Sequence, residues 1–181
     1  MGFYPGFPSS IRHPPEDFTA ILSEAFSPKL WDALDREHRS SLVEAEMLFA
    51  RFRRMRPSER GGQPIDALVV RWSRVAEPIL RLVLAALGAS AEGRPLGQLI
   101  GITKKILDRD GIAWSAELRE RFRFLPVALH ELDRLDLVNK KGVNHSDGVK
   151  LTWAHVVDAH TSIHWVMRTL LEAAVGPASS E

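Results

Sequence analysis

The chain of 181 residues contains no cysteine, which excludes disulfide scaffolds, thiol nucleophiles and metal sites built on thiolates. It also has almost no net charge, because 24 Lys and Arg residues are balanced by 23 Asp and Glu residues. A near-neutral chain has no general attraction for nucleic acid or for an anionic membrane surface. What is present, 45% hydrophobic and 26% charged residues, is typical of a globular domain.

Long hydrophobic runs are missing as well. The longest nearly unbroken run, Ile79–Leu87, contains Arg81 and is far too short to span a bilayer. The N-terminus lacks the basic segment and apolar core that mark a signal peptide. We therefore expect a cytoplasmic protein with no membrane association.

Apolar residues recur at spacings of three and four through most of the chain, which predicts helices, and no segment alternates long enough to predict a strand. The predicted helices span about 27–56, 64–87, 96–107, 115–135 and 152–175. Ser27 and Thr152 are predicted N-caps, Gly88 is a predicted C-terminal cap, and Pro78 and Pro126 fall inside helices that we expect to continue through them. The predicted fold is an all-α bundle of four or five helices.

The sequence divides into three parts. Residues 1–27 are rich in proline and predict an extended N-terminal arm with at most one short helix, near residues 17–25. Aromatic residues in the arm indicate that it packs either on its own domain or on a partner protein. Residues 28–175 form the predicted helical domain, and residues 176–181 a disordered tail.

Five of the seven histidines lie after residue 129. His160 and His164 are four residues apart on one face of the last predicted helix, a spacing that suits two metal ligands. No carboxylate at matching spacing accompanies them on that helix, so we interpret both as core or interface histidines and predict no metal and no cofactor. A further alternative is a small-molecule or nucleotide pocket near His130 and this pair.

The strongest basic cluster lies at the end of the first predicted helix and consists of Arg51, Arg53, Arg54, Arg56 and Arg60. Cations at a helix C-terminus complement the helix dipole and bond the last carbonyl groups, which is the simpler interpretation. Phosphate binding is the alternative for the same residues.

The stretch between the fourth and last predicted helices is polar and basic, and it reads Asn139-Lys140-Lys141-Gly142-Val143-Asn144-His145-Ser146-Asp147-Gly148. A helix end and a turn account for most of it, but not for Asn144 and His145. A histidine can take a proton from a ribose 2′-hydroxyl or give one to the leaving oxygen, and a nearby cation stabilises the charge that develops on the phosphate. The candidate catalytic residues are therefore Asn139, Lys140, Asn144 and His145.

This order, two long helices followed by a helix, a short motif ending in Asn-His and a Thr-capped last helix, resembles the HEPN superfamily (higher eukaryotes and prokaryotes nucleotide-binding). The signature of that family is an arginine, commonly followed by asparagine, and a histidine a few residues later. The histidine of the signature matches His145, and the arginine position falls on Lys140 or on Asn139. Lysine keeps the charge but lacks the planar, bidentate grip of arginine on phosphate, and asparagine has neither.

The resemblance implies a compact helical domain that dimerises. Many members of the family are metal-independent ribonucleases in toxin–antitoxin, phage-defence and CRISPR systems, and others are inactive RNA-binding or scaffold domains. Because the arginine is replaced, we predict a homodimeric, non-catalytic module that binds RNA or a partner protein, the latter through the N-terminal arm. The alternative is a metal-independent endoribonuclease that uses His145.

Overall fold

A computed structural model describes residues 15–61, 63–143 and 151–176, with the backbone alone at residues 15, 16, 112 and 137–143. Its helices are α1 (Pro15–Phe26), α2 (Pro28–Ala33), α3 (Arg36–Arg54), α4 (Pro57–Arg60), α5 (Asp66–Ala86), α6 (Leu96–Asp110), α7 (Ala116–Arg121), α8 (Leu125–Val143) and α9 (Trp153–Val175). A single 3₁₀ turn, Gly111–Ala113, follows α6. No strand occurs in these ranges, so the prediction of an all-α bundle is confirmed.

The bundle is arranged around α5. Its buried side chains recur from Leu68 to Leu84 at every helical turn, so one broad and mostly apolar side of this helix faces the core. It packs against α3, α6, α8 and α9, and α9 packs in turn against α8. The helix continues through Pro78 to Ala86, as predicted.

The N-terminal helix α1 belongs to the same core. Phe18, Leu22 and Phe26 are all buried, and α1 packs against α2, α3 and α9. The short helix predicted near residues 17–25 is thus confirmed, and this part of the predicted arm packs on its own domain. The rest of the predicted arm, residues 1–14, and residues 177–181 of the predicted tail lie outside the described residues.

The first predicted helix is divided in two. Leu34 and Asp35 are extended and separate α2 from α3. The side chain of Asp35 accepts a 2.8 Å hydrogen bond from the backbone N–H of His38 and so caps a new helix. Ser27, the predicted cap, makes no such side-chain bond, although Pro28 occupies the first helical position as expected.

The element predicted to continue through Pro126 is also two helices, so that prediction was wrong. Ser115 caps α7 by accepting a hydrogen bond from the N–H of Leu118, and the chain then turns at residues 122–124 before α8 begins. In a continuous helix the ring of Pro126 would clash with the carbonyl group of Phe122 and leave it without a donor. In the first turn of α8, where no N–H needs an intrahelical partner, proline is tolerated.

Both ends of α9 are closed by side chains. The predicted start at Thr152 is confirmed, since its backbone N–H donates to Nδ1 of His155 over 3.1 Å. At the other end, the guanidinium group of Arg121 donates to the carbonyl oxygens of Ala173 (2.8 Å) and Ala174 (2.7 Å). A cation here also opposes the negative end of the helix dipole.

The end of α5 is closed by Gly88, as predicted. Gly88 has a left-handed φ of 74°. Its N–H donates to the carbonyl of Ala85 (3.0 Å), and the N–H of Ala89 donates to that of Leu84 (2.9 Å). This pair of bonds is the Schellman motif, and its left-handed residue is strained for any side chain with a Cβ.

Replacing glycine by alanine should therefore have opposite effects at two positions. Gly88→Ala should lower the free energy of unfolding by about 1–2 kcal/mol because of the left-handed backbone. Gly101→Ala, inside α6 with open space around the added Cβ, should raise it by about 0.5–1 kcal/mol because glycine is the more costly residue within a helix. Urea unfolding followed by circular dichroism measures both, and equal effects at the two positions would contradict the assignment of the cap.

Candidate functional site

The predicted catalytic stretch begins inside α8. Asn139 and Lys140 belong to the last two turns of this helix, which ends at Val143. Asn144 and His145 lie outside the described residues. Because α8 packs against α9, the stretch leads from one helix to its neighbour in the bundle, and the chemistry expected of these four residues stays a prediction.

Within the described ranges, one group of three side chains has the composition and spacing of metal ligands: Glu46, His160 and His164. Nε2 of His160 lies 3.0 Å from Oε2 of Glu46, and Nε2 of His164 lies 2.9 Å from Oε1. Each oxygen of the carboxylate therefore meets one imidazole. Helix α3 supplies the carboxylate and α9 supplies both histidines, one turn apart; we call these three side chains the Glu46 centre.

Both histidines are thus interior residues with a polar partner, as the core interpretation predicts. The spacing of the histidines could not reveal the carboxylate, because Glu46 is 114 residues away from His160 in sequence and lies on another helix. One feature of the sequence does single out Glu46. Glu46 follows Leu42 by four residues and precedes Phe49 by three, so a charged residue falls on the apolar stripe of α3.

Aromatic rings enclose the Glu46 centre. The ring of Phe49 stacks parallel to that of His160, with 3.6 Å between the centroids. Trp72 is 5.8 Å from His160, and Phe26 meets His164 edge-on at 6.4 Å. These rings belong to α1, α3 and α5, so the centre lies where three helices meet α9. An apolar surrounding of this kind strengthens the electrostatic interactions inside it.

Trp153 connects the Glu46 centre to the basic cluster. Its ring stacks on Phe49 at 5.3 Å, and the guanidinium carbon of Arg60 lies 4.4 Å from the centre of the Trp153 ring. Arg60 also donates to the carbonyls of Phe52 (2.8 Å) and Met55 (2.7 Å) at the end of α3. For Arg60, the helix-capping interpretation is therefore confirmed. The other four arginines of the cluster are exposed, and a phosphate-binding role for them stays a prediction.

Two opposing effects set the charge of Glu46. Burial raises the pKa of its carboxyl group, because it penalises the charged form. The nearby imidazole of His164 and the close contacts of both histidines with the carboxylate lower the pKa by more, so that it falls from the usual 4.5 to about 2. The carboxylate is therefore ionised throughout the physiological pH range.

His130 has different surroundings from the other two histidines of the expected pocket. It is exposed on α8, whereas His164 is buried against Glu46. The described residues thus do not join the three histidines in one small-molecule pocket.

A small groove, with room for little more than one water molecule, lies between α8 and α9. Its polar lining consists of Glu131 and Arg134 from α8 and Asp158 and Ser162 from α9, and its apolar lining includes Ile163. Acidic and basic side chains therefore both line the groove on this surface of α8 and α9.

Large apolar side chains stand at the rim of this groove. Val127 precedes Glu131 by one helical turn, and Trp165 follows Ser162 by three residues, so helical geometry places both beside the groove. Val127 is 53% exposed, Trp165 is 42% exposed, and Phe124, one turn before Val127, is 54% exposed. We call the groove and these three side chains the α8–α9 face.

No protein-family model, curated protein or solved structure matches the chain. The function is therefore inferred from the chemistry of these residues. Among the helices that the structure describes, none combines the length and apolar character needed to cross a membrane.

The depressed pKa of Glu46 predicts an acid-sensitive component of stability. Since the folded-state pKa (about 2) lies below the unfolded value of 4.5, ionised Glu46 stabilises the fold above pH 4.5, and this contribution is lost as pH falls towards 2. Between about pH 6 and pH 3, the wild type should lose about 2 kcal/mol more unfolding free energy than Glu46→Gln. Urea unfolding at both pH values, with EDTA present, measures the difference.

Glu44→Gln is the matched control, because Glu44 lies on the same helix and is 54% exposed. Its unfolding free energy should follow the pH dependence of the wild type. If Glu46→Gln and Glu44→Gln show the same dependence on pH, the electrostatic role assigned to Glu46 is wrong.

Proposed function

We propose that this chain is a non-catalytic, HEPN-like helical module that works by binding, and that its first partner is a second copy of itself. The observation that carries the proposal is the α8–α9 face. Val127 on α8, Trp165 on α9 and Phe124 in the turn before α8 expose large apolar side chains there. Exposed apolar groups that cluster on one surface, with polar groups around them, are typical of a protein–protein interface.

The charges of this face favour self-association. Glu131 and Asp158 are acidic and Arg134 is basic. A two-fold interface places the same surface against itself, so a face with both signs can pair acid with base across the axis. The mixed charges, together with a net charge of +1, favour a protein partner over RNA, which requires a basic surface.

The order of the elements supports the HEPN-like part of the proposal. Asn139 and Lys140 lie in the last turns of α8, and the next helix, α9, begins after the Thr152 cap. This is the order on which the resemblance rests, and the family it points to is one whose members dimerise. A place in a phage-defence or toxin–antitoxin system would follow from the same resemblance.

The self-association predicts a specific response to two substitutions. The wild-type protein should have twice the molar mass of one chain, because a dimer buries the apolar side chains of the α8–α9 face. The double variant Val127→Ser/Trp165→Ser should have the mass of a single chain. Light scattering coupled to size-exclusion chromatography, at several protein concentrations, measures both.

Leu82→Ser serves as the control, because Leu82 is 47% exposed on α5, which does not contribute to the α8–α9 face. This variant should remain dimeric. A monomeric wild type, or equal dissociation by Leu82→Ser, would show that the partner of this face is not a second copy.

A second candidate function is a metal-independent endoribonuclease that uses His145. It is favoured by the position of Lys140, which belongs to the last turns of α8 and precedes His145 by five residues in sequence. Our first proposal predicts that purified protein does not cleave mixed RNA in the presence of EDTA. Cleavage that is abolished by His145→Ala, and retained by the control His130→Ala, would establish the second candidate instead.

A further inference from the structure

The Glu46 centre offers three donor atoms that first-row transition metals prefer. Two imidazole nitrogens and one carboxylate oxygen form the donor set of many zinc and non-haem iron sites. The two histidines are four residues apart on α9, so one turn of helix holds both rings on the same side. The carboxylate comes from α3, and the site therefore depends on the folded bundle rather than on a short sequence motif.

The donor atoms are grouped closely enough for one ion to reach all three residues. A Zn²⁺ ion binds histidine nitrogen and carboxylate oxygen at about 2.0–2.2 Å, which at the tetrahedral angle places neighbouring donors about 3.3–3.6 Å apart. His160 and His164 contact different oxygens of Glu46, at 3.0 and 2.9 Å, and one donor atom from each of the three residues lies within 4.8 Å of the other two. An outward shift of a few tenths of an ångström at these contacts makes room for the ion. The two imidazole planes are nearly perpendicular, at 84°, so the rings approach the carboxylate from different directions.

The charge of the site also suits a cation. The side chains of Glu46 and His164 are each only 5% exposed, and a buried carboxylate needs a compensating positive charge. A divalent ion supplies that charge while both imidazoles stay neutral, which is the form that binds metals. The side chain of His160 is 15% exposed, so it is the ligand in contact with solvent.

Aromatic side chains surround the three proposed ligands. Phe49, stacked on His160, fixes the orientation of that ring and excludes water from one side. Trp72, at 5.8 Å from His160, is fully buried, and no described group accepts the hydrogen of its indole N–H. Three protein ligands leave a coordination position for water.

We propose that Glu46, His160 and His164 bind one divalent transition-metal ion per chain. The proposal is independent of self-association through the α8–α9 face, since none of the three ligands lies on that face. It also explains why a charged residue occupies the apolar stripe of α3.

The test uses the full chain, stripped with EDTA, dialysed and titrated with Zn²⁺ by calorimetry. We expect one ion bound per chain and a rise in the melting temperature on binding. Co²⁺ in place of Zn²⁺ should give visible absorption bands that report nitrogen and oxygen ligands. Wild-type protein that binds no Zn²⁺ at micromolar free concentration would overturn the proposal.

Isosteric removal of one ligand gives the specific test. Glu46→Gln should weaken Zn²⁺ binding by at least about 100-fold, since loss of an outer-shell partner alone costs about 10–100-fold. Glu44→Gln and His130→Ala, which remove an exposed carboxylate and an exposed histidine, should leave the affinity unchanged. Stoichiometric binding that survives Glu46→Gln, or is lost in either control, would place the ion elsewhere and contradict the proposal.

Circular dichroism of each metal-free variant verifies that it is folded. If Glu46→Gln is unfolded, His160→Gln replaces it, because His160 is the most accessible of the three ligands. X-ray absorption at the zinc edge of the wild type requires no variant at all. Two imidazoles and one carboxylate in the first shell are expected, and any other set of protein ligands overturns the assignment.

Discussion

A carboxylate buried inside a helical bundle is the constraint on which the arrangement of this protein depends. Glu46 stays ionised in the core, and both of its partners come from α9. Helices α3 and α9 each pack on α5, and the Glu46 centre adds a direct polar connection between them. Losing one partner of such a group leaves a buried charge uncompensated, which typically costs about 3–5 kcal/mol. The position of α9 relative to α3 is therefore set by electrostatics as well as by apolar packing.

The same centre is continuous with the surface through stacked side chains. Arg60 lies over Trp153, Trp153 stacks on Phe49, and Phe49 stacks on His160. Because Arg60 also bonds the last carbonyls of α3, the end of that helix, Arg60 and the buried carboxylate are connected through these contacts. The α8–α9 face belongs to a different part of the bundle. Binding at that face and ion binding at the centre are therefore separate properties of one fold.

Much of the fold could be predicted from local sequence rules, but the Glu46 centre could not. Periodicity predicted the all-α architecture, and cap chemistry placed the end of α5 at Gly88 and the start of α9 at Thr152. The breaks at Asp35 and before Pro126 were missed because apolar spacing continues across them. The partnership of Glu46 with His160 spans 114 residues, and it arises only when α3 and α9 pack on the same central helix. Glu46 is recognisable in the sequence as a charged residue on an apolar stripe, but its partners are not.

The most direct test of this account is a double-mutant cycle between Glu46 and His164, using Glu46→Gln, His164→Gln and the double variant. Urea unfolding at neutral pH in EDTA gives the four free energies. If the carboxylate and the imidazole depend on each other in the core, the two substitutions should be coupled by more than about 1 kcal/mol. If the effects of the two single substitutions sum to that of the double variant within about 0.5 kcal/mol, the two groups are independent. That result would contradict the central role of the buried carboxylate.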